Sequence, residues 1–219
     1  MAHILKNYDD DLRALSDSVI GMGANTLAAI EKALMGLTSR DSDLCYDVVE
    51  EDEIIDQQEK KIDEKGMAIL LRYNPVASDL RHVLSSINIC RSLERIGDHA
   101  VNIAKRARKI IRSSELEETR LVEPLFAEAR KVVSAVLTAY SDVDESMAHA
   151  VIKMDQRVDE IHESLSKALT LKISEGGCDT EALLNIIFIS RSLERIGDLA
   201  VNIAEDVVFA TSAEDIRHT

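Results

Sequence analysis

The chain spells one fourteen-residue phrase twice: "RSLERIGDHAVNIA" from Arg91 and "RSLERIGDLAVNIA" from Arg191, differing only at His99 against Leu199. The match extends upstream at the same offset, with Asp79, Leu84, Ile87 and Ile89 answered by Asp179, Leu184, Ile187 and Ile189. A repeat of this period is the mark of a duplicated structural unit, so each half must build the same local structure and bury the same face.

That unit is helical. Leu12, Leu15, Val19, Met22, Ala33 and Leu37 recur at helical spacing and predict a first helix from about Ile4 to Thr38. "SRDSD" breaks the chain, with Asp41 or Ser42 as the next N-cap. A second helix carries Leu44, Val48, Ile55, Ile62 and Ile69 and ends near Tyr73, because Pro75 pushes Asn74 out of the helical region. The third runs to about Arg112. Polar "SSELEETR" then divides the chain into halves 1–114 and 115–219.

The second half follows the same plan, with a fourth helix from near Pro124, a fifth from about Asp142 to Ser174 and, after "EGG", a sixth from about Asp179 to Ser212. No stretch alternates at period two, and with aromatics at 3% and Trp absent the composition suits packed helices. The expected fold is therefore all-α: six long helices forming two pseudo-symmetric three-helix bundles.

Bulk chemistry removes several functions. A formal charge of -14 repels phosphate backbones, so no nucleic acid is expected as a direct partner. The basic run "KRARKIIR" from Lys105 to Arg112 is read as complementing a helix C-terminus. Cys45, Cys90 and Cys178 are widely spaced, which suits reduced cytoplasmic thiols and not a disulfide scaffold or thiolate zinc site. No direct membrane insertion is expected, since neither a signal peptide nor a spanning apolar run is present.

The chemistry lies in the acids. Glu94 and Asp98 are four residues apart, as are Glu194 and Asp198, so each pair shares one helix face. Like charges at this spacing oppose helix formation by a few tenths of a kcal/mol. The preceding helices carry matching pairs, Asp52 with Asp56 and Asp155 with Asp159. Glu59 and Asp63 continue the first stripe, and His162 stands where Glu59 stood.

A helical wheel puts Ile89, Leu93, Ile96, Ala100 and Ile103 toward the core and the acids at its edge. If the acidic helices are neighbours, four carboxylates meet in each half and call for a balancing cation. Oxygen-only donors suit hard ions such as ferric iron, manganese, magnesium or calcium, with zinc less natural.

The bland alternative is a solvated face in which Arg91 and Arg95 bridge Glu94 and Asp98. Gly97 and Gly197 cost about 1 kcal/mol each in a helix, which points to close packing of a neighbour. Asn102 and Asn202 prolong the acidic stripe, and His99 and His82 read as structural or exposed. Neither a nucleophile–base constellation nor a glycine-rich phosphate loop stands out, so no enzyme is expected. A ferritin-like di-metal oxidase needs Glu-x-x-His on two helices, and only Asp159 with His162 approaches that. A metal-free helical scaffold is the third reading.

With these residues in view, the chain resembles the PhoU family of phosphate-transport accessory and regulatory proteins over essentially its whole length. The resemblance is carried by "NPVASDLRHVLSSINICRSLERIGDHAVNIAK", "FISRSLERIGDLAVNIAE", "DEIID" and "DQRVD". It implies two three-helix bundles whose acidic motifs in some members hold multinuclear iron or zinc clusters. Carried over, those motifs fall on Asp52, Asp56, Glu94 and Asp98, and on Asp155, Asp159, Glu194 and Asp198. It further implies a cytoplasmic homodimer acting as negative regulator of the phosphate-starvation response. Its implied partners are the ATPase of the phosphate ABC transporter and a sensor histidine kinase.

Overall fold

A computed structural model of the chain describes residues 2–213. It contains six long helices and no strand among the described residues: α1 (Ala2–Thr38), α2 (Ser42–Tyr73), α3 (Ala77–Ile111), α4 (Glu123–Asp142), α5 (Glu145–Glu175) and α6 (Thr180–Ser212). α1, α2 and α3 pack together as one bundle and α4, α5 and α6 as the other.

The predicted stripes are the buried ones. Leu15, Val19, Met22 and Leu37 of α1, Val48, Ile55, Ile62 and Ile69 of α2, and Ile89, Leu93, Ile96, Ala100 and Ile103 of α3 all lie inside. α3 also packs against α6, so the apolar core runs unbroken through both bundles. The two helices are antiparallel: Asn88 donates to Asp206 (3.3 Å) while Arg106 donates to Asn185 (3.2 Å). A buried polar cluster spans the halves as well. Ser86 of α3 bonds the Tyr140 hydroxyl of α4 at 2.8 Å, His82 stacks on the Tyr140 ring, and Ser16 of α1 bonds His82 Nε2 at 2.8 Å.

The helix ends follow local chemistry. Asp41 caps α2 by accepting from the backbone of Asp43 and Leu44, and Asn74 ends it in the left-handed conformation. Arg40 reaches across to the free end of α3 and donates to the carbonyls of Ile111 (2.7 Å) and Ser113 (2.6 Å). Two details depart from expectation. A 3-10 turn, Glu117–Val122, fills the link between the halves, held where the nearly buried Glu118 pairs with Lys172 of α5. The fifth helix starts at Glu145 and not at Asp142, because α4 continues through Asp142 and Asp144 supplies the cap to Met147.

Val143, between α4 and α5, is left-handed with φ 53°. A β-branched residue is a poor occupant of this conformation, and an L-residue there costs roughly 1–2 kcal/mol. Asp144 N donates to Ala139 O across the same turn, the bonding of a glycine-type helix end. Val143→Gly is therefore expected to stabilise the protein by about 1 kcal/mol, read as a higher urea midpoint with an unchanged slope.

Candidate functional site: two acidic grooves

Each acidic pair on α2 or α5 faces its partner pair across a helix–helix contact that glycine makes close. A Cβ placed on Gly97 would lie 3.1 Å from Ile55 Cδ1 and 3.5 Å from Asp52 Oδ1. At Gly197 the carboxylate of Asp155 occupies the space a side chain would fill, with Val158 behind it. The missing Cβ therefore serves both packing and site: it sets the helices close together and puts Asp52 and Asp155 against the backbone of the opposing helix.

The electrostatics assign the acids to two sets. In the first groove burial, then Asp98, Glu59, Asp56 and Asp52, push Glu94 up to about 7. Asp52 is raised by burial, Asp56 and Asp98, against the opposing pull of Lys105. Glu59 is raised by burial, Asp63 and Asp56. In the second groove burial, then Asp159, Asp198 and Glu194, push Asp155 up to about 7. Glu194 rises through burial and Asp198, eased by Arg195 and His162. The structure thus brings Asp52, Asp56, Glu94 and Asp98 into one mutual field, and Asp155, Asp159, Glu194 and Asp198 into another.

Arginine answers part of this charge. Arg195 donates to Asp198 at 2.8 Å and lies 3.5 Å from Glu194, so the salt-bridged face is realised in the second groove. In the first, Arg91 pairs with Asp63 at 3.7 Å, and no ion pair among the described residues joins Arg91 or Arg95 to Glu94 or Asp98. Asp155 Oδ1 is buried and has no hydrogen-bond partner among the described residues. Among those residues no three His, Cys, Asp or Glu side chains close on one point as a metal-binding cluster. The carboxylates form two rows rather than two closed shells.

The grooves differ by a paired exchange that sequence reasoning saw only in part. His162 replaces Glu59, and its Nδ1 lies 2.6 Å from Ser190 Oγ, which stands where the other half has Cys90. Cys90 instead contacts Met22 Sδ at 3.4 Å, and burial pushes its thiol up to about 12. Burial likewise takes Cys45 up to about 11, which leaves both thiols inert at neutral pH. The Ser190 contact was legible only as a change at matching offsets. Asn102 and Asn202 are exposed, and His99 is half-buried between α3 and α6.

Glu94 and Asp155 bind protons more tightly folded than unfolded, where their ordinary values are 4.5 and 3.8. Their ionisation therefore opposes folding: stability is highest below those ordinary values and falls as pH rises from them through about 7. In metal-free buffer the melting temperature should rise as pH is lowered from about 8 to 5.5, and Asp155→Asn with Glu94→Gln should flatten the profile. A wild-type profile equal to the double variant's would contradict the crowding of these acids.

Comparison with known proteins agrees with this architecture. A family model described as PhoU domain matches residues 19–107 and again 122–207. A "Phosphate-specific transport system accessory protein PhoU homolog" of Xylella fastidiosa is 36% identical over 214 residues, covering 98% of this chain and 89% of the relative. A protein of the same name from Pseudomonas aeruginosa is 34% identical over 217 residues, covering 99% and 90%. Among solved structures, PhoU from Pseudomonas aeruginosa superposes with a TM-score of 0.91 at 33% identity, covering 94% of this chain and all of that one. The phosphate transport system regulatory protein PhoU from Streptococcus pneumoniae gives 0.89 at 27% identity, covering 95% and 99%. With both halves matched by the family model and full-length relatives above 30% identity, the chain belongs to the PhoU family.

Proposed function

We propose that this protein is a non-enzymatic regulator of phosphate transport that works in the cytoplasm by contact with other proteins. The observation that carries the proposal is the full-length relation to proteins named as accessory to phosphate-specific transport. No helix among the described residues is long and apolar enough to cross a membrane. The partners in this reading are the ATPase of a phosphate ABC transporter and a sensor histidine kinase, and the sign is negative: the protein restrains uptake and starvation signalling when phosphate is plentiful. A homodimer would present both faces twice. Deleting the gene should derepress phosphate-starvation genes in phosphate-rich medium, read as reporter activity; unchanged expression would refute this role.

In the same reading the two acidic rows hold metal ions, iron in multinuclear form being favoured over zinc, manganese, magnesium or calcium. The donor set suits a hard cation: carboxylate oxygens only, with Asp52, Glu94, Asp155 and Glu194 raised in pKa by burial and then by neighbouring acids, and with Asp155 Oδ1 buried and without a partner among the described residues. Asp52, Asp56, Glu94 and Asp98 would hold one group, and Asp155, Asp159, Glu194 and Asp198 the other. The ions would supply positive charge that relieves crowding between α2 and α3 and between α5 and α6. Gly97 and Gly197 keep the facing helices near enough for that relief to be felt. Protein purified without chelator should contain metal by elemental analysis, and Glu94→Ala with Glu194→Ala should remove most of it; unchanged content would dismiss these ligands.

A further inference from the structure

Between the acidic rows, where α3 and α6 run side by side, the surface reverses sign. Three adjoining hollows follow one another here: the first is lined by Arg95, Arg106, Arg191 and Arg195, the second lies along α3 from Lys105 to Arg112, and the third joins Lys109 and Arg112 to the start of α6. At 1.5 Å per residue the α3 portion is about 25 Å long. Among the cations lining these hollows Arg195 is ion-paired, with Glu194 and Asp198, while Arg95, Lys105, Arg106, Arg108, Lys109, Arg112 and Arg191 have no ion pair among the described residues, in a chain of net charge -14. Asp179 and Glu181 close the far end.

The helix dipole does not account for this strip. Its influence is confined to the last turn, which explains a cation at Lys109 but not Arg95, Lys105, Arg106 or Arg191. α6 ends without any basic residue in its last turn. The duplication sharpens the contrast, because near-identity stops at Ala104 and Ala204. Beyond it the inward positions stay apolar, Ala107 against Val207, while Lys105, Arg106 and Lys109 are answered by Glu205, Asp206 and Phe209. Beyond that point only the first copy is cationic, and the second contributes Arg191 and Arg195 from the shared part of the repeat.

Apolar side chains border it. Leu184 and Phe188, one turn apart on α6, are 43% and 41% exposed, and the Arg106 guanidinium lies 4.3 Å from the centre of the Phe188 ring. Arginine stacked on an aromatic beside exposed leucine is the composition of protein-binding hot spots rather than of a polyanion track.

We propose that this α3–α6 groove docks an acidic, amphipathic helical segment of a partner protein. Its carboxylates would lie on Arg95, Lys105, Lys109 and Arg112, and its apolar edge on Leu184 and Phe188. The length of the strip matches a helix of about 17 residues. The overall negative charge opposes approach at long range but is screened beyond about 8–10 Å, so the strip sets orientation at contact. This inference rests on the reading that the protein acts by protein contact, and it adds where and with what chemistry.

The test is fluorescence anisotropy with a labelled synthetic helix of about 18 residues, glutamates on one face and leucines at i, i+4 on its edge. Saturable binding is expected, weakening steeply from about 50 to 300 mM NaCl. Lys105→Glu with Lys109→Glu should weaken it at least about tenfold, while Lys153→Glu, on exposed α5 surface, leaves it within about twofold. Phe188→Ser, read separately, should also weaken it while thermal melting confirms the fold. No saturable binding, or equal binding by the double variant, overturns the inference. So does binding of phosphatidylglycerol vesicles or inorganic polyphosphate through these lysines in place of the peptide. A silent gene deletion would refute the regulatory role and leave the peptide result standing, whereas absent peptide binding would remove only this docking surface.

Discussion

Two copies of the same helix lie antiparallel and bury their apolar faces both in their own bundle and on each other. This contact of α3 with α6 is what the remaining architecture hangs from. It makes the core continuous, fixes the acidic rows on the outer flanks of the pair, and leaves the inner seam to arginine and lysine. A helix with neighbours on three sides has few positions left for solvent, so Glu94, Asp98, Arg95 and Asn102 are confined to narrow strips whose signs alternate.

The acidic rows are held in place against their own repulsion. Pairs of like charge one turn apart disfavour an isolated helix, and crowding across the helix contact adds to that. The opposing force is the burial of apolar side chains at the same contacts, Ile55 against Gly97 and Val158 against Gly197, each contributing roughly 1.5–3 kcal/mol. Packing wins, and the cost appears as carboxyl groups that keep protons to unusually high pH. That is how a fold can hold a site whose ligands would rather separate.

Much of this was legible in the sequence because it depends on period and offset. The helices, their buried stripes and the pairing of acids four residues apart all follow from spacing, and the close approach at Gly97 and Gly197 follows from the cost of glycine inside a helix; that two pairs meet in each half depends on which helices are neighbours. Other features were not legible, because they depend on which helices meet across the halves. Nothing local says that Arg40 reaches Ile111, that Tyr140 finds Ser86, or that Lys172 finds Glu118. The run from Lys105 read as a helix terminus, and only the juxtaposition with Arg191 and Phe188 turned it into part of a surface. The start of the fifth helix was misplaced by local competition, since Asp142 and Asp144 are both plausible caps and the left-handed Val143 decides between them.

The antiparallel contact of near-identical helices also says something about history. A half-length ancestor with the same exposed apolar face would have stayed soluble only by pairing with a second molecule about a two-fold axis. Joining two such genes end to end would turn that intermolecular axis into an internal one and release the halves from having to be alike. The difference of glutamate and cysteine against histidine and serine, and the opposite charges beyond Ala104 and Ala204, are divergence of the kind that a fused pair is free to accumulate and a symmetric pair is not.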